Sequence, residues 1–462
     1  MSRILMPATP LWGHLAPVLT AARAFVDAGH DVSVLTGRKY RAQVEKSGAE
    51  FLALPAEVDY DDDELEAFMP GRDAVTGVAA IKLNIIGLFV RTLPGQYRAL
   101  QELISDGGFD AVVADATFCG TFPWLLDVPA AQRLPIVGLG VLPLPFASRD
   151  TAPFGTALAP SSSVLGRLRN RVLNAVVDGI VLREVKQLTD AALAEVGAGA
   201  TRTGFAGNGE LYDRYFHLAC EGIEYPRSDL AASVRFVGPF PPARNGWNRP
   251  VPEWWTDLEL AQLVGRPVVH VTQGTMDNAD LTRVLVPTIR ALAEEDVLVV
   301  AATGGRPVEE VERHFPDGLP ANARVGEFLD YADLLPRCSL VVTNGGWGTV
   351  QLALSEGVPV VVAGSTEEKP EVGARVQWAG AGRSLRTGTP TPGQVRKAVR
   401  EVLATDSHRV AAAGLAQEMA ALPDPREVIV AEVEEMIAAR TISLPQSRTI
   451  DLTALERQSV QH

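Results

Sequence analysis

Short runs of apolar, β-branched residues alternate along this chain with longer stretches whose apolar residues recur every three or four positions. In the opening unit, residues 3–6 are typical of a buried strand, and residues 15–26 have the spacing of a helix. Gly29 predicts the end of that helix, because glycine readily adopts the left-handed conformation of a C-terminal cap. This alternation is typical of parallel sheets covered by helices, and it predicts an α/β fold.

The alternation occurs in two series, which predicts two doubly wound, Rossmann-like sheets in tandem. Further strands of the first series are expected at residues 31–36, 111–114 and 135–142. In the second series, strands are expected at residues 267–272, 297–302, 339–343 and 358–363, with helices at 282–294, 348–355, 371–379 and 394–404.

Proline and glycine mark the boundary between the two series. Residues 226–252 contain six prolines and two glycines, a composition typical of a linker. We therefore predict an N-terminal domain at 1–225 and a C-terminal domain at 253–422. Residues 423–440 are expected to form a last helix that returns to the N-terminal domain, and residues 441–462 a poorly ordered tail.

The acidic composition argues against several classes of partner. The chain has 42 Lys plus Arg against 56 Asp plus Glu, a formal net charge of −14, and it has no basic run. Nucleic-acid binding needs clustered cations, and crossing a bilayer needs about 20 consecutive apolar residues, which we do not find. Three separated cysteines indicate neither a disulfide framework nor a zinc site. We therefore expect a cytoplasmic protein with no nucleic-acid or membrane partner.

Two polar residues follow predicted strands of the first sheet, where ligands of parallel sheets usually bind. His14 lies at the start of the first helix. We expect its ring to be exposed toward a cleft, and the helix N-terminus to lower its pKa so that it can accept a proton. Asp115 ends another strand, and within hydrogen-bonding reach it would fix the tautomer of His14. The alternatives are structural: His14 caps its helix, and Asp115 caps the turn at Thr117.

A glycine-rich loop in the second series is the strongest indication of a ligand. Residues 344–348 contain three glycines between an apolar strand and a helix. Glycine lets a ligand approach the backbone, and the helix N-terminus offers free N–H groups, which suits a diphosphate. Gly345, Gly346 and Thr349 are therefore candidate phosphate contacts, and the loop with Gly274 and Thr275 adds possible donors. The alternative is a plain strand-to-helix turn, and the spacing matches neither a dinucleotide motif nor a Walker loop.

Taken together, these motifs resemble those of the family 1 glycosyltransferases of the GT-B fold, in particular the bacterial branch that glycosylates macrolides and other natural products. The resemblance covers almost the whole chain. It is carried by residues 13–17 (GHLAP), 29–32 (GHDV), 112–115 (VVAD) and a donor signature within 324–376, which contains Phe328, 344–348 (NGGWG), 353–359 (ALSEGVP) and 366–371 (TEEKPE).

The resemblance implies two facing domains and inverting transfer of a sugar from a UDP- or TDP-linked donor to a small hydrophobic acceptor, without a metal or cofactor. By that likeness His14 is the general base, Asp115 is its partner, and Phe328 stacks on the nucleobase. The other implied donor contacts are Gly274, Thr275, Asn344, Gly345, Gly346, Trp347, Gly348, Thr349, Glu368 and Lys369.

Three positions depart from the family pattern. Asn344 stands where the family has a phosphate-binding His, Leu352 where it has a ribose-binding acid, and Lys369 where it has a Gln beside the sugar. These departures leave open whether the donor is linked to UDP or TDP, and which sugar it carries. They also leave open a second possibility, a non-catalytic sugar-nucleotide-binding or partner protein with a degenerate donor site. His14 and Asp115 favour an enzyme over such a binder. A third possibility, an epimerase or hydrolase, would need an acid or base pair around the sugar ring, and the place of His14 in the N-terminal, acceptor-binding domain argues against it.

Apolar residues of the N-terminal half are candidates for acceptor binding. Residues 73–94 and 143–163 are rich in them, and we expect Phe89, Phe118 and Phe146 to contact the acceptor, although the same residues could form core. The acidic run at 59–64 is expected to be a solvated loop and not a metal site, because no His accompanies it. The sequence does not indicate an oligomeric state.

Overall fold

The structure, a computed structural model, describes residues 1–75, 77–106, 108–201, 207–242, 251–275 and 278–443. Two wholly parallel sheets with flanking helices form its framework, which confirms the predicted α/β class. The first sheet contains β1 (Arg3–Pro7), β2 (Asp31–Thr36), β3 (Glu50–Ala53), β4 (Ala111–Asp115), β5 (Ile136–Gly140), β6 (Arg214–His217) and β7 (Val234–Phe236); the second contains β8 (Val268–Thr272), β9 (Leu298–Ala302), β10 (Ala323–Gly326), β11 (Leu340–Thr343), β12 (Val360–Val362) and β13 (Gly382–Ser384).

Each sheet has a point where the strand order reverses. The first runs β3-β2-β1-β4-β5-β6-β7, and the second β10-β9-β8-β11-β12-β13. The chain therefore starts in the middle of each sheet, builds one side, and returns to build the other from β4 or β11. Loops leaving the two central strands diverge at such a point and open a crevice, which is where parallel sheets bind ligands. The loops after β1, β4, β8 and β11 are thus the ones to inspect.

The helices connect these strands, and several begin or end two or three residues from the predicted positions. The helix predicted at 371–379 starts at Lys369, because Pro370 is well tolerated in a first turn, where its missing N–H costs no hydrogen bond. Gly29 has φ 86° and ends the first helix as predicted. The described α-helices are Trp12–Asp27, Arg41–Lys46, Leu65–Phe68, Gly77–Asn84, Leu93–Ser105, Phe122–Asp127, Val164–Val176, Arg183–Glu195, Trp255–Leu263, Leu285–Leu292, Glu309–Glu312, Tyr331–Leu334, Trp347–Ser355, Lys369–Trp378, Pro392–Ala404, Asp406–Ala421 and Pro425–Ser443.

The last helix, Pro425–Ser443, packs against the N-terminal half of the chain. Its residues Ile429 and Val433 are buried in one cluster with the first sheet, and His30 Nε2 lies 3.0 Å from Glu434 Oε1. The chain thus crosses back from the second sheet to the first. Of the predicted linker, residues 243–250 lie outside the described residues, as do residues 444–462 of the predicted tail.

The expectation that no segment is long and apolar enough to cross a membrane is wrong. The helical run Gly77–Ser105, 29 residues long, meets the criteria of length and composition, although in its most apolar window 39% of residues are buried inside the protein. The run was not recognised in the sequence because Lys82 and Arg91 interrupt the apolar pattern. The backbone nevertheless stays helical past both residues, through the π-helical turns Ile85–Val90.

Candidate active site

The side chains of His14 and Asp115 meet at the crevice of the first sheet. His14 lies in the first turn of the helix after β1, and Asp115 is the last residue of β4. His14 Nδ1 is 3.3 Å from both Asp115 Oδ1 and Oδ2. With Nδ1–H donating to the carboxylate, the proton-free nitrogen is Nε2, which is the form a general base requires.

The environment of the pair differs from the sequence expectation in two ways. His14 is only 9% exposed, and its pKa is raised, not lowered. Burial lowers the pKa of His14, but the charge of Asp115 and the hydrogen bond to it outweigh that effect, and Glu368 and Glu367 add to the rise. Burial would raise the pKa of Asp115, yet His14 and two threonine contacts hold it below its ordinary value.

Thr117 is a third member of this group, and sequence reasoning treated it only as a turn residue. Its Oγ1 donates to Asp115 Oδ2 at 2.7 Å and lies 2.9 Å from His14 Nδ1, so it accepts a share of the imidazole N–H. The backbone N–H groups of Thr117 and Thr9 also donate to Asp115, at 3.1 and 3.3 Å. Asp115 therefore caps its turn and holds His14 at once, so the two readings of this residue are compatible.

The glycine-rich loop follows β11 at the crevice of the second sheet. Gly345 has φ 95°, and a Cβ there would come within 2.6 Å of Val362, so this position needs glycine. The helix Trp347–Ser355 starts directly afterwards, with Gly346 as its N-cap. A Cβ on Gly348 would meet no atom within 4 Å, so open space lies beside the first turn. The loop thus presents helix N–H groups next to unfilled space, as an anion site requires.

Neighbouring side chains in this loop have structural tasks that the sequence did not reveal. Asn344 Nδ2 donates to the carbonyl oxygen of Gln273 at 2.6 Å, which ties the loop after β11 to the loop after β8. The ring of Trp347 is buried in the core, so only the backbone of that predicted donor contact can face a ligand. Gln351, the neighbour of Leu352, is buried and donates to the carbonyl of Leu218 at 2.7 Å, so its side-chain amide N–H serves the core.

The loop after β8 lies beside this helix terminus. Gly274 has φ 70°, and Thr275 is exposed. The ring of Phe328, 44% exposed, lies over the backbone of Gly305, where a Cβ would come within 2.6 Å of Phe328 Cζ. A half-exposed aromatic ring on the rim of the crevice can stack with a planar base.

Glu367, Glu368 and Lys369 lie between the two crevices, at the start of the helix Lys369–Trp378. Lys369 Nζ pairs with Glu367 and donates to Thr366 Oγ1 at 3.2 Å. Burial raises the pKa of Glu368, with Glu367 adding to the rise, whereas the charge of Lys369 holds the pKa of Glu367 down. Because both carboxylates act on the pKa of His14, the residues predicted to contact the sugar lie within electrostatic reach of the predicted base.

Of the three predicted acceptor contacts, one stays accessible. Phe89 is half-buried, and its ring centroid is 6.1 Å from that of His14. Phe118 is fully buried, and Phe146 is 3% exposed and packs edge-on against Tyr215, so neither ring is accessible in this structure. Both residues follow strand ends, where ligand contacts are common in parallel sheets, but their rings turn back into the core.

A buried ionic cluster that the sequence did not reveal joins the two halves of the chain. Arg375, 1% exposed, donates from Nε to Glu224 Oε2 at 2.8 Å and from Nη1 to Glu371 Oε2 at 2.7 Å. The other oxygen of Glu371 accepts the backbone N–H groups of Gly155 and Ala157, at 2.8 and 2.7 Å. The loop 143–163 is therefore fastened to the helix that starts at Lys369.

The acidic run is more ordered than expected. The carboxylates of Asp61, Asp62 and Asp63 lie within 4.8 Å of one another, as metal ligands could. Lys39 Nζ lies 2.6 Å from the first two and 2.7 Å from the third, so an ammonium group already pairs with all three and offsets part of their charge. Asp62 is buried and accepts the N–H of Trp12 at 2.9 Å, which shows a structural role.

Comparison with known proteins identifies what the chain is similar to. Residues 288–436 match the family model described as erythromycin biosynthesis protein CIII-like, C-terminal domain. The chain is 40% identical over 422 residues to the 4'-demethylrebeccamycin synthase of Lentzea aerocolonigenes, covering 91% of this chain and 96% of that protein. It is 32% identical over 443 residues to UDP-glycosyltransferase 2 of Phaeomoniella chlamydospora, covering 94% and 96%.

Solved structures show the same architecture. The calicheamicin glycosyltransferase CalG4 superposes with a TM-score of 0.68 at 20% identity, covering 96% of this chain and 100% of that one. The glycotransferase of kitacinnamycin gives 0.66 at 22% identity, covering 94% and 98%. At such identities the likeness shows the fold, and the two facing crevices described above are its counterpart in this chain.

Proposed function

The chain belongs to the family 1 glycosyltransferases of the GT-B fold, and we propose that it moves a sugar from a nucleoside diphosphate to a hydroxyl of a small hydrophobic natural product, with inversion at the anomeric carbon. The observation that carries this proposal is the pairing of two crevices. One holds His14 hydrogen-bonded to Asp115 and Thr117, and the other holds an open, glycine-lined helix N-terminus.

The base acts on the acceptor. His14 Nε2 takes the proton of the acceptor hydroxyl, and the oxygen attacks the anomeric carbon as the bond from that carbon to the diphosphate breaks. The proton leaves the imidazole after the transfer, while the electron pair of the broken bond leaves with the diphosphate. Asp115 and Thr117 keep Nδ1 protonated throughout, and the carboxylate stabilises the imidazolium that forms.

The departing diphosphate is held by backbone donors in this proposal. N–H groups at the start of Trp347–Ser355, together with that of Thr275, stabilise its growing charge, and the helix dipole adds to them. The N–H of Gly274 already donates to Thr272 Oγ1 at 3.1 Å, so Gly274 contributes by letting the ligand approach the backbone. This role needs no metal. If a divalent ion were required, dialysis against a chelator would abolish transfer, and that result would contradict this part of the proposal.

The donor is proposed to be a pyrimidine nucleotide sugar whose base lies on Phe328. Relatives are named UDP-glucosyltransferases, whereas the structural neighbours VinC and SpnG were solved with DTDP and thymidine diphosphate. The acceptor class follows the relatives named for rebeccamycin and other natural products, and Phe89 beside His14 supports an apolar acceptor. We place the reaction in the cytoplasm, where nucleotide sugars are present.

Two measurements test this function. A thermal-shift panel of UDP, TDP and their sugars should raise the melting temperature, because a ligand that binds only the folded state stabilises it. An α-linked donor should then yield a β-glycoside, as judged by NMR coupling at the anomeric proton. Retention of configuration would contradict a single displacement at His14, and sugar release to water without acceptor would favour the hydrolase.

A further inference from the structure

A row of apolar side chains faces solvent along the helical segment 164–181, formed by the helix Val164–Val176 and the π-helical turn Val177–Val181. The exposed fractions are 78% for Leu165, 56% for Leu168, 53% for Val172, 41% for Val176 and 72% for Ile180. Their spacings of three and four place them on one face, which we call the apolar stripe. Single exposed apolar residues are ordinary in proteins, whereas a contiguous row marks an interaction surface.

The other side of this segment is firmly attached, so the stripe is not the face of a loose helix. Gly166 and Asn170 are buried, and Asn170 Nδ2 donates to the carbonyl of Arg149 at 3.0 Å. A few residues on, Glu184 pairs with Lys82 at 2.6 Å, which ties this region to the apolar run Gly77–Ser105.

The charge of this region differs in sign from that of the whole chain. Residues 164–186 contain five Lys or Arg and two Asp or Glu, whereas the chain as a whole has a formal charge of −14. Arg169 directly follows Leu168, and Arg171 directly precedes Val172, so at about 100° per residue they lie on opposite sides of these two stripe residues. Arg169 Nη2 also donates to the carbonyl of Ala159 at 2.9 Å. Both arginines are exposed. Such side chains can lay their stems along an apolar surface while the charged heads stay in a polar layer.

We propose that the apolar stripe, with Arg169 and Arg171 on its flanks, docks the protein on the surface of an anionic lipid bilayer. A helix with an apolar face and basic edges sinks that face into the headgroup boundary, and its cations pair with lipid phosphates. A second copy of the chain fits less well, because a two-fold contact through the stripe would bring the like-charged flanks of both copies together. The proposal revises the expectation of no membrane partner, which rested on the charge of the whole chain.

Vesicle sedimentation of the full-length protein is the first test. We expect it to pellet with vesicles of phosphatidylglycerol mixed with phosphatidylcholine, and to pellet less with pure phosphatidylcholine or at high salt, where charges are screened. A wild-type protein that stays in the supernatant with anionic vesicles at low salt would overturn the proposal. Binding that ignores lipid charge would overturn the part assigned to the arginines.

Matched variants then assign the binding to this surface. Leu168→Gln combined with Val172→Asn should abolish sedimentation, and Arg169→Gln combined with Arg171→Gln should weaken it about thirtyfold, since each basic residue near an anionic surface is worth about fivefold. The control is Leu260→Gln combined with Leu263→Gln on Trp255–Leu263, which are 56% and 83% exposed. The control should bind like the wild type; an equal loss there would show that vesicles capture any exposed apolar residue.

Two further readouts separate the alternatives. Circular dichroism should be unchanged in all variants, and transfer to a water-soluble acceptor should be unchanged in the stripe variant and in the control, since their altered side chains are exposed and lie outside the proposed catalytic site. Light scattering measures the oligomeric state. If the stripe variant turns a dimer into a monomer while vesicle binding stays as in the wild type, the stripe is a contact between copies and the lipid proposal is wrong.

Discussion

Arg375, on the helix Lys369–Trp378, donates to Glu224 at 2.8 Å across the junction of the two halves of the chain, and both side chains are 1% exposed. The same guanidinium holds Glu371, which in turn accepts the N–H groups of Gly155 and Ala157. The loop 143–163 of the N-terminal half is therefore positioned by a helix of the C-terminal half. This relationship couples the expected acceptor side to the expected donor side.

Removing the cation of this cluster should be costly. Arg375→Met leaves Glu224 and Glu371 buried without the guanidinium that pairs with both, and we expect a loss of about 3–5 kcal/mol in the free energy of unfolding. Urea unfolding measures the loss. The control is Arg383→Met, which breaks an ion pair with Glu401 that is 39% exposed on both sides and should cost less than about 1 kcal/mol. Equal losses in the two variants would contradict the role of the buried cluster.

The same cluster should make stability depend on pH in the acid range. Burial would raise the pKa of Glu224, but Arg375 and His217 hold it far below its usual value. A carboxylate with a depressed pKa adds stability above its unfolded-state value of about 4.5, and that stability is lost as the pH falls toward the folded-state value. We expect the urea concentration at the unfolding midpoint of the wild type to drop when the pH falls below about 4.5, the unfolded-state pKa. Glu224→Gln should be less stable at neutral pH and lose less of its stability on acidification.

The pair of His14 and Asp115 predicts the position of the acid limb of activity. Because the pKa of His14 is raised, the neutral base should be lost already above pH 6.5, the ordinary histidine value, as the pH falls. Asp115→Asn removes the charge that raises it, so the acid limb of kcat/KM should move to lower pH. The maximal rate should fall by about 10² to 10⁴, since the tautomer is no longer enforced. An unmoved limb would show that another group sets it.

Variants of Thr117 test whether its hydroxyl positions the pair of His14 and Asp115. Thr117→Val removes the hydroxyl that donates to Asp115 and accepts from His14, and we expect kcat to fall about tenfold, the effect of one or two hydrogen bonds. Thr117→Ser keeps the hydroxyl and should restore most of kcat. Donor affinity, measured by calorimetry with UDP or TDP, should be the same in both variants. A loss that Ser does not repair would assign Thr117 to packing.

Features of the fold and the site could be predicted from the sequence when they depend on neighbouring residues, and could not when they depend on contacts between residues far apart in the chain. The strands, the glycine at position 345 and the pair of His14 and Asp115 follow from local pattern and from the rule that strand ends share an edge. The direction of the His14 pKa shift does not, because it depends on how closely Asp115 approaches within a buried pocket. Asn344 bonds to Gln273, 71 residues away in the chain, and Arg375 bonds to Glu224, 151 residues away. No local sequence pattern indicates such partners.

Phe328 provides the test of the donor side. Its ring is 44% exposed and lies over Gly305, so Phe328→Ala should fold normally while losing the ring on which we propose that the base stacks. Stacking on an aromatic ring is worth about 1–3 kcal/mol per base, so the affinity for UDP or TDP should fall by about one order of magnitude or more. Phe328→Tyr keeps the ring and is the control. Calorimetry that finds equal affinities for the Ala and Tyr variants would place the base elsewhere in the crevice.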